Sequence, residues 1–174
     1  MASASALDPA PLLRLATDAD APAINRLVAA AYTPYVPLIG RTPIPMLTDY
    51  AIAVREHEVW VLVAGGVIVG VVELVAQPDH LWLEDVAILP EWQGRGLGGR
   101  LIRHAEDVAR RHDLAEIRLL TNERYTADIA IYGHYGYRET HRQPHLGTDL
   151  VYFTKAIGPT GHAPATTDPG DGIE

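Results

Sequence analysis

The sequence contains no cysteine. A disulfide framework, a thiolate nucleophile and thiolate metal sites are therefore excluded, and the composition fits a cytoplasmic protein. Positive charge is in deficit: 14 Lys and Arg stand against 22 Asp and Glu, a net charge of −8. Such a field disfavours non-specific contact with nucleic acid, so a phosphorylated ligand would have to be held by local donors. No apolar run is long enough to span a bilayer, and MASASALDPA lacks the basic and apolar stretches of a secretory signal. Neither nucleic acid nor membrane is expected as a partner. There are no internal repeats. The eight histidines show no metal-ligand spacing, and no metal is expected. His104 and His112 read as exposed on a helix, His134 as a neighbour of a tyrosine, and His141 and His145 as loop residues.

What is present is a chain of 174 residues, 48% hydrophobic, enough for one domain with a real core. Residues 1–10 read as a flexible N-terminus, 11–157 as the folded domain, and 158–174, rich in Gly, Pro and Thr, as a disordered tail. "LLRLAT" is a short strand. In "DADAPAINRLVAAAY", Asp18 or Asp20 can cap a helix whose face is Ile24, Leu27, Val28 and Ala31. "TPYVPLIGRTPIPM", with four prolines and a glycine, is an irregular loop. "LTDYAIAVRE" reads as a second helix. "VWVLVA" and "VIVGVVELVA" flank Gly65-Gly66, which suits a two-residue hairpin turn. "LWLEDVAIL" is apolar on both faces and so reads as a central strand. Strict alternation puts Leu81, Leu83, Ala87 and Leu89 on one face, and Trp82, Val86 and Ile88 on the other. "GRLIRHAEDVARRHD" is an amphipathic helix, "AEIRLLT" a strand, "TADIAIYGHYGY" a helix capped by Thr126, and "DLVYFTKAI" the closing strand. The order β-α-α-β-β-β-α-β-α-β predicts an α/β fold (α+β, mixed sheet).

Gly94, Gly96 and Gly99 spell G-x-G-x-x-G between a strand and a helix. A Rossmann reading is opposed by three features. Pro90 to Gln93 separate strand from glycine, the turn lies mid-chain, and Leu119-Leu120 stand where a ribose-binding acid belongs. No Gly-Lys-Ser/Thr follows, which excludes a P-loop. The turn still suits an anion, because glycines admit a ligand to the backbone and helix N-terminal amides point at it. Arg95, Arg100 and Arg103 lie on or near it; the plain alternative is a solvated loop with ordinary surface arginines.

"VAILPEWQGRGLGGRLI" resembles motif A of the GNAT N-acetyltransferase superfamily, with Gln93, Gly96 and Gly98 at its signature positions. "IAIYGHYGY" resembles the family's tyrosine-bearing helix, with Tyr132 at the catalytic tyrosine and Gly136-Tyr137 at its Gly-Phe. The resemblance runs from about Leu12 to Ile157. It implies a central mixed sheet with splayed parallel strands, and acetyl-CoA as co-substrate. The pyrophosphate would lie on the turn formed by Gln93, Gly94, Arg95, Gly96, Leu97, Gly98 and Gly99. The pantetheine arm would pair along Val86, Ala87 and Ile88, with an amide near Val86 or Ala87 polarising the acetyl carbonyl. Tyr132 would donate a proton to the departing thiolate. Glu84 aligns with a glutamate that resembles the general base of spermidine/spermine acetyltransferases, with Asp85 and Glu73 as backups. Alternation places Glu84 and Asp85 on opposite faces; the plain alternative for Glu84 is an ion-paired strand residue. Family members carry an asparagine seven or four residues before the tyrosine. Tyr125 and Asp128 stand there instead, so Asn122 is the candidate for that cofactor contact. Tyr32, Tyr35, Arg41, Met46 and Tyr50 are candidate walls of an acceptor pocket.

The function so implied is transfer of an acetyl group to a primary amine, of a small molecule or of a peptide or protein. Two other readings stay open: an acyl-CoA-binding sensor without catalysis, and a Rossmann-like nucleotide binder. The oligomeric state, a homodimer included, is open.

Overall fold

The computed structural model describes residues 10–158. The expected N-terminal segment and C-terminal tail lie, but for residues 10 and 158, outside them. Seven strands form one sheet in the order β1-β2-β3-β4-β5-β7-β6. They are β1 Leu12–Leu15, β2 Glu58–Ala64, β3 Val67–Ala76, β4 Leu81–Ile88, β5 Glu116–Asn122, β6 Arg138–His145 and β7 Thr148–Ala156. Helices α1 Ala21–Tyr32, α2 Val36–Ile39 and α3 Tyr50–Glu56 precede β2; α4 Leu97–Arg111 and α5 Thr126–His134 flank β5. Every neighbouring pair of strands is antiparallel except β4 and β5. The mixed α/β sheet is the expected one.

Each face of the sheet buries a separate apolar cluster. Ile24, Leu27 and Val28 of α1 and Tyr50 and Ala53 of α3 pack on Val59, Val61, Val71 and Ala87. Leu97, Leu101, Ala105 and Val108 of α4 pack on the other face against Val72, Leu74, Leu83 and Leu119. The Gly65-Gly66 turn has φ of 55° and 80°, the left-handed pair that a tight hairpin demands. Asp49 caps α3 by accepting from the Ala51 amide at 2.9 Å.

Several local expectations change. The proline-rich loop holds one helical turn, α2, that ends on Gly40 at φ 68°. Helix α5 begins at Thr126 with Tyr125 as its N-cap, and no side chain caps it. "RETHRQPH", unassigned from sequence, is the edge strand β6, and nearly all of it is exposed. It has no apolar face to announce it, and its Pro144 suits an edge. No helix among the described residues is long and apolar enough to cross a membrane.

The feature that positions the site is a break in the sheet. Parallel strands β4 and β5 pair only at Leu81–Ile117 and Trp82–Arg118, then part. On the other side of β4 the ladder with β3 slips at Glu84: Leu74 pairs with Leu83, but Glu73 pairs with Asp85. Glu84 is the extra residue of a β-bulge.

Candidate active site

The bulge overturns the alternation expected along β4. Leu81, Leu83 and Ile88 join the α4 cluster, whereas Ala87 joins the α1/α3 cluster. Glu84 and Asp85 consequently do not point to opposite faces. Both line one cavity with Tyr32, Trp82 and Tyr132. Glu73, opposite Asp85 in the ladder, shares that face.

Their environments differ. Asp85 is buried, and both its oxygens are engaged: Tyr32 donates to Oδ1 at 2.5 Å and Tyr50 donates to Oδ2 at 2.8 Å. Burial pushes its carboxyl up to about 6, against the pull of the two tyrosine hydroxyls. Glu84 is exposed, and the Trp82 indole N–H donates to its Oε2 at 2.6 Å; its Oε1 makes no hydrogen bond among the described residues. Glu73 is 1% exposed, meets His57 Nδ1 at 2.6 Å through Oε1, and leaves Oε2 without a partner among the described residues. Of the three carboxylates, Glu84 alone combines a place in this cavity's wall with an oxygen that makes no hydrogen bond among the described residues.

A second cavity adjoins the first, with Tyr32, Val86, Asp128 and Tyr132 in the walls of both. It runs along Val86, Ala87 and Ile88 to Gln93, Gly94, Gly96, Gly98 and Gly99. Gly94 and Gly96 have φ of 74° and 77°, a left-handed conformation costly for any other residue. The amides of Gly94, Arg95 and Gly96 donate to no backbone carbonyl among the described residues. Those of Leu97, Gly98 and Gly99 open α4, where an α-helix leaves its N–H groups free. The turn is thus a row of unspent donors at a helix N-terminus, the arrangement that binds phosphate. The Gln93 side chain donates to the Ile88 carbonyl at 3.0 Å and braces the turn on β4.

The phase of the β3–β4 ladder decides which β4 amides face the gap. Leu89 donates to the Val69 carbonyl at 3.0 Å. Antiparallel pairs alternate, so Ala87 and Asp85 also bond to β3, and Val86 and Ile88 direct their N–H groups into the gap. Of the two amides considered for the acetyl carbonyl, Val86 is the one on the side of the gap.

Tyr132 is buried among Tyr137 and Phe153, with ring centroids 5.9 Å away in each case. Its hydroxyl makes no hydrogen bond among the described residues, and burial with Asp128 and Asp85 nearby holds its pKa well above the usual phenol range. Asp128, half-buried, accepts from Tyr35 at 3.2 Å and is pushed up to about 6 by burial.

The remaining expected residues are distributed among the cavity walls, the core and the surface. Asn122 lines the first cavity and not the glycine-turn cavity. Its Nδ2 donates to Thr148 Oγ1 at 2.7 Å and its Oδ1 accepts from the Arg124 amide at 3.0 Å. Arg100 donates to the Pro11 carbonyl, Arg95 lies 4.5 Å from the Trp92 ring centre, and Arg103 lies 5.8 Å from that of Tyr135. Tyr32 lines both cavities, Arg41 the first, Tyr35 the second, and Met46 and Tyr50 neither. His104 is half-buried against Trp60, with centroids 4.2 Å apart, not exposed. No group of three or more His, Cys, Asp or Glu among the described residues could hold a metal ion. Sequence reasoning missed the His57–Glu73 pair and the Tyr35–Asp128 bond. A glutamate inside the apolar run "VIVGVVELVA" was the available signal for the first.

A family model described as "Acetyltransferase (GNAT) family" matches residues 24–137, more than half of the chain. The chain belongs to the GNAT acetyltransferase family. No curated protein matches its sequence. Among solved structures, GNAT neighbours include the ribosomal-protein-S18-alanine N-acetyltransferase of Escherichia coli. It superposes with a TM-score of 0.70 at 18% identity, covering 88% of this chain and 97% of that one. PaiA N-acetyltransferase of Thermoplasma acidophilum, solved with coenzyme A, gives 0.70 at 12%, covering 82% and 97%. YncA of Salmonella typhimurium, described as a putative acetyltransferase with its cofactor acetyl-CoA, gives 0.66 at 21%, covering 89% and 98%. At these identities the likeness is one of fold. The glycine turn thus belongs to a GNAT sheet, in which it follows an antiparallel run of strands, and the Rossmann reading falls.

Proposed function

We propose that this GNAT protein transfers the acetyl group of acetyl-CoA to a primary amine, of a small molecule or of a peptide or protein. The supporting observation is the parting of β4 and β5. It leaves the Val86 and Ile88 edge open between a row of free amides at Gly94–Gly99 and the unbonded hydroxyl of Tyr132. An anion at the turn, an extended arm along an open strand edge and a proton donor at its end are what a CoA thioester needs. Acetyl-CoA and CoA in the solved neighbours YncA and PaiA agree with this.

Acetyl-CoA supplies the thioester carbon and the thiolate leaving group. The chain's part is to position these and move two protons. Glu84, through its free oxygen, takes a proton from the incoming ammonium, directly or through one water. The Val86 amide polarises the carbonyl on which charge develops. Tyr132 gives its hydroxyl proton to the departing sulfur. The new C–N bond replaces the C–S bond, the amine's second proton restores the tyrosine, and exposed Glu84 releases the first to solvent.

The test has two stages. Acetyl-CoA, NAD and ATP are compared by thermal shift; a ligand at about 100 times its Kd adds roughly 2.7 kcal/mol. Acetyl-CoA alone should stabilise. Amines are then screened by release of free thiol. Stabilisation without turnover of any amine would favour the non-catalytic acyl-CoA-binding module; absence of stabilisation by acetyl-CoA would remove both readings.

A further inference from the structure

Among the described residues, the acceptor-side cavity has a single basic side chain in its wall, Arg41; its carboxylates are Glu84, Asp85 and Asp128. A guanidinium facing carboxylates across a cavity ordinarily closes an ion pair. Elsewhere this chain does so readily, as in Arg14–Asp20 at 2.7 Å and Arg142–Glu139 at 2.7 Å. Arg41 forms no ion pair among the described residues. Its Nη1 donates instead to the carbonyl of Leu146, 105 positions along the chain, at 3.0 Å. Leu146 is held at φ 48° in the turn between β6 and β7, and a second clasp, Arg124 to the Leu38 carbonyl at 2.8 Å, fixes the neighbouring loop. The carbonyl orients the guanidinium without neutralising it, and further N–H donors of its planar fork stay unspent.

A positive and a negative group are thus held apart on the walls of one cavity: Arg41, and Glu84 with its free oxygen. A ligand carrying both charges in the reverse order satisfies both walls. Ile39, Ile44 and Leu150 line the same cavity and suit an apolar body. We infer that the acceptor is an amine that also bears an oxyanion, a carboxylate or a phosphonate, which docks on Arg41 while the amine meets Glu84. This rests on the acetyl-transfer reading and narrows its substrate class. Guanidinium takes either oxyanion as a bidentate partner.

The full-length protein is assayed by thiol release with matched sets. Each set holds an amino carboxylic acid with an apolar body, its aminophosphonate and the parent amine without the anion. The α- and ω-amino series span different separations of charge. An anion-bearing member should exceed its parent amine in kcat/KM by at least tenfold, chiefly through KM. The carboxylate and phosphonate arms identify the oxyanion. In Arg41→Gln the ratio should fall to about one, and Arg41→Lys should recover part of it. Both substrates meet the same variant, so a loosened clasp or a folding defect cancels in the ratio. The inference is overturned if parent amines turn over as well as their anion-bearing partners, if the ratio survives in Arg41→Gln, or if no anion-bearing amine is acetylated. Turnover of parent amines alone would leave acetyl transfer standing and remove only this substrate class.

Discussion

Tyr32, at the last position of α1, donates a 2.5 Å hydrogen bond to Asp85, the second residue of the β4 bulge. The bond ties a tyrosine that lines both cavities to the sheet beneath them. It also makes Asp85 a structural carboxylate, since Tyr50 takes its other oxygen.

Asp85 should make stability fall as pH rises. Its carboxyl titrates near 6 in the folded chain, against 3.8 ordinarily. The folded state therefore binds this proton more tightly than the unfolded one. Its contribution is intact below pH 4, declines between 4 and 6, and is flat above. About two units correspond to roughly 3 kcal/mol. Asp128, also near 6, acts in the same direction. Denaturant unfolding from pH 4 to 7 should show a shallower decline in Asp85→Asn than in the wild type; equal slopes would refute the assignment.

Gly96→Val should abolish stabilisation by acetyl-CoA. Gly96 needs φ 77° and lines the cavity of free amides, so a valine there both strains the turn and occupies the approach to it. Gly65→Val is the control, a comparable strain at φ 55° in the distant β2–β3 turn. Both variants should lose about 1–2 kcal/mol of stability, but only Gly65→Val should keep the acetyl-CoA thermal shift.

Tyr132→Phe should lower turnover about 10²-fold and leave acetyl-CoA affinity within a few fold. No intramolecular hydrogen bond among the described residues is lost with this hydroxyl, so the melting temperature should hold or rise slightly. Full activity would make water the proton donor.

Glu84→Gln should slow acetylation and remove the acidic limb of kcat/KM against pH, and Asp85→Asn should keep that limb. Both side chains face the cavity, so orientation does not separate them; the engaged oxygens of Asp85 and the free Oε1 of Glu84 do. Loss of the limb in Asp85→Asn alone would reverse the two roles.

The elements that local chemistry controls were legible in the sequence. The apolar period of α1 and α4, the Gly65-Gly66 hairpin and the glycine turn after β4 each carry their cause within a few residues. The same holds for the motif residues of the family, which point to the fold without reference to any long-range contact. What escaped depends on partners distant in sequence. The bulge at Glu84 is a relation between β3 and β4, and a pattern read along β4 alone cannot contain it. Strand β6 exists through its ladder with β7, not through an apolar face. His104 sits under Trp60 because β2 packs on α4, and Arg41 is oriented by a hairpin more than a hundred positions away.

The two ladder pairs at Leu81–Ile117 and Trp82–Arg118 are the only pairings between the four-stranded half of the sheet and the three-stranded half. Among the described residues, no backbone closes the seam beyond them. A ligand arm laid along Val86 and Ile88 would serve as an eighth strand, so occupancy of the cleft and cooperativity between the two halves become one quantity. Such an arm would join by backbone two halves that α4 already joins by side chains, since one apolar cluster runs from Val72 and Leu83 through Leu101 to Leu119 and Val151.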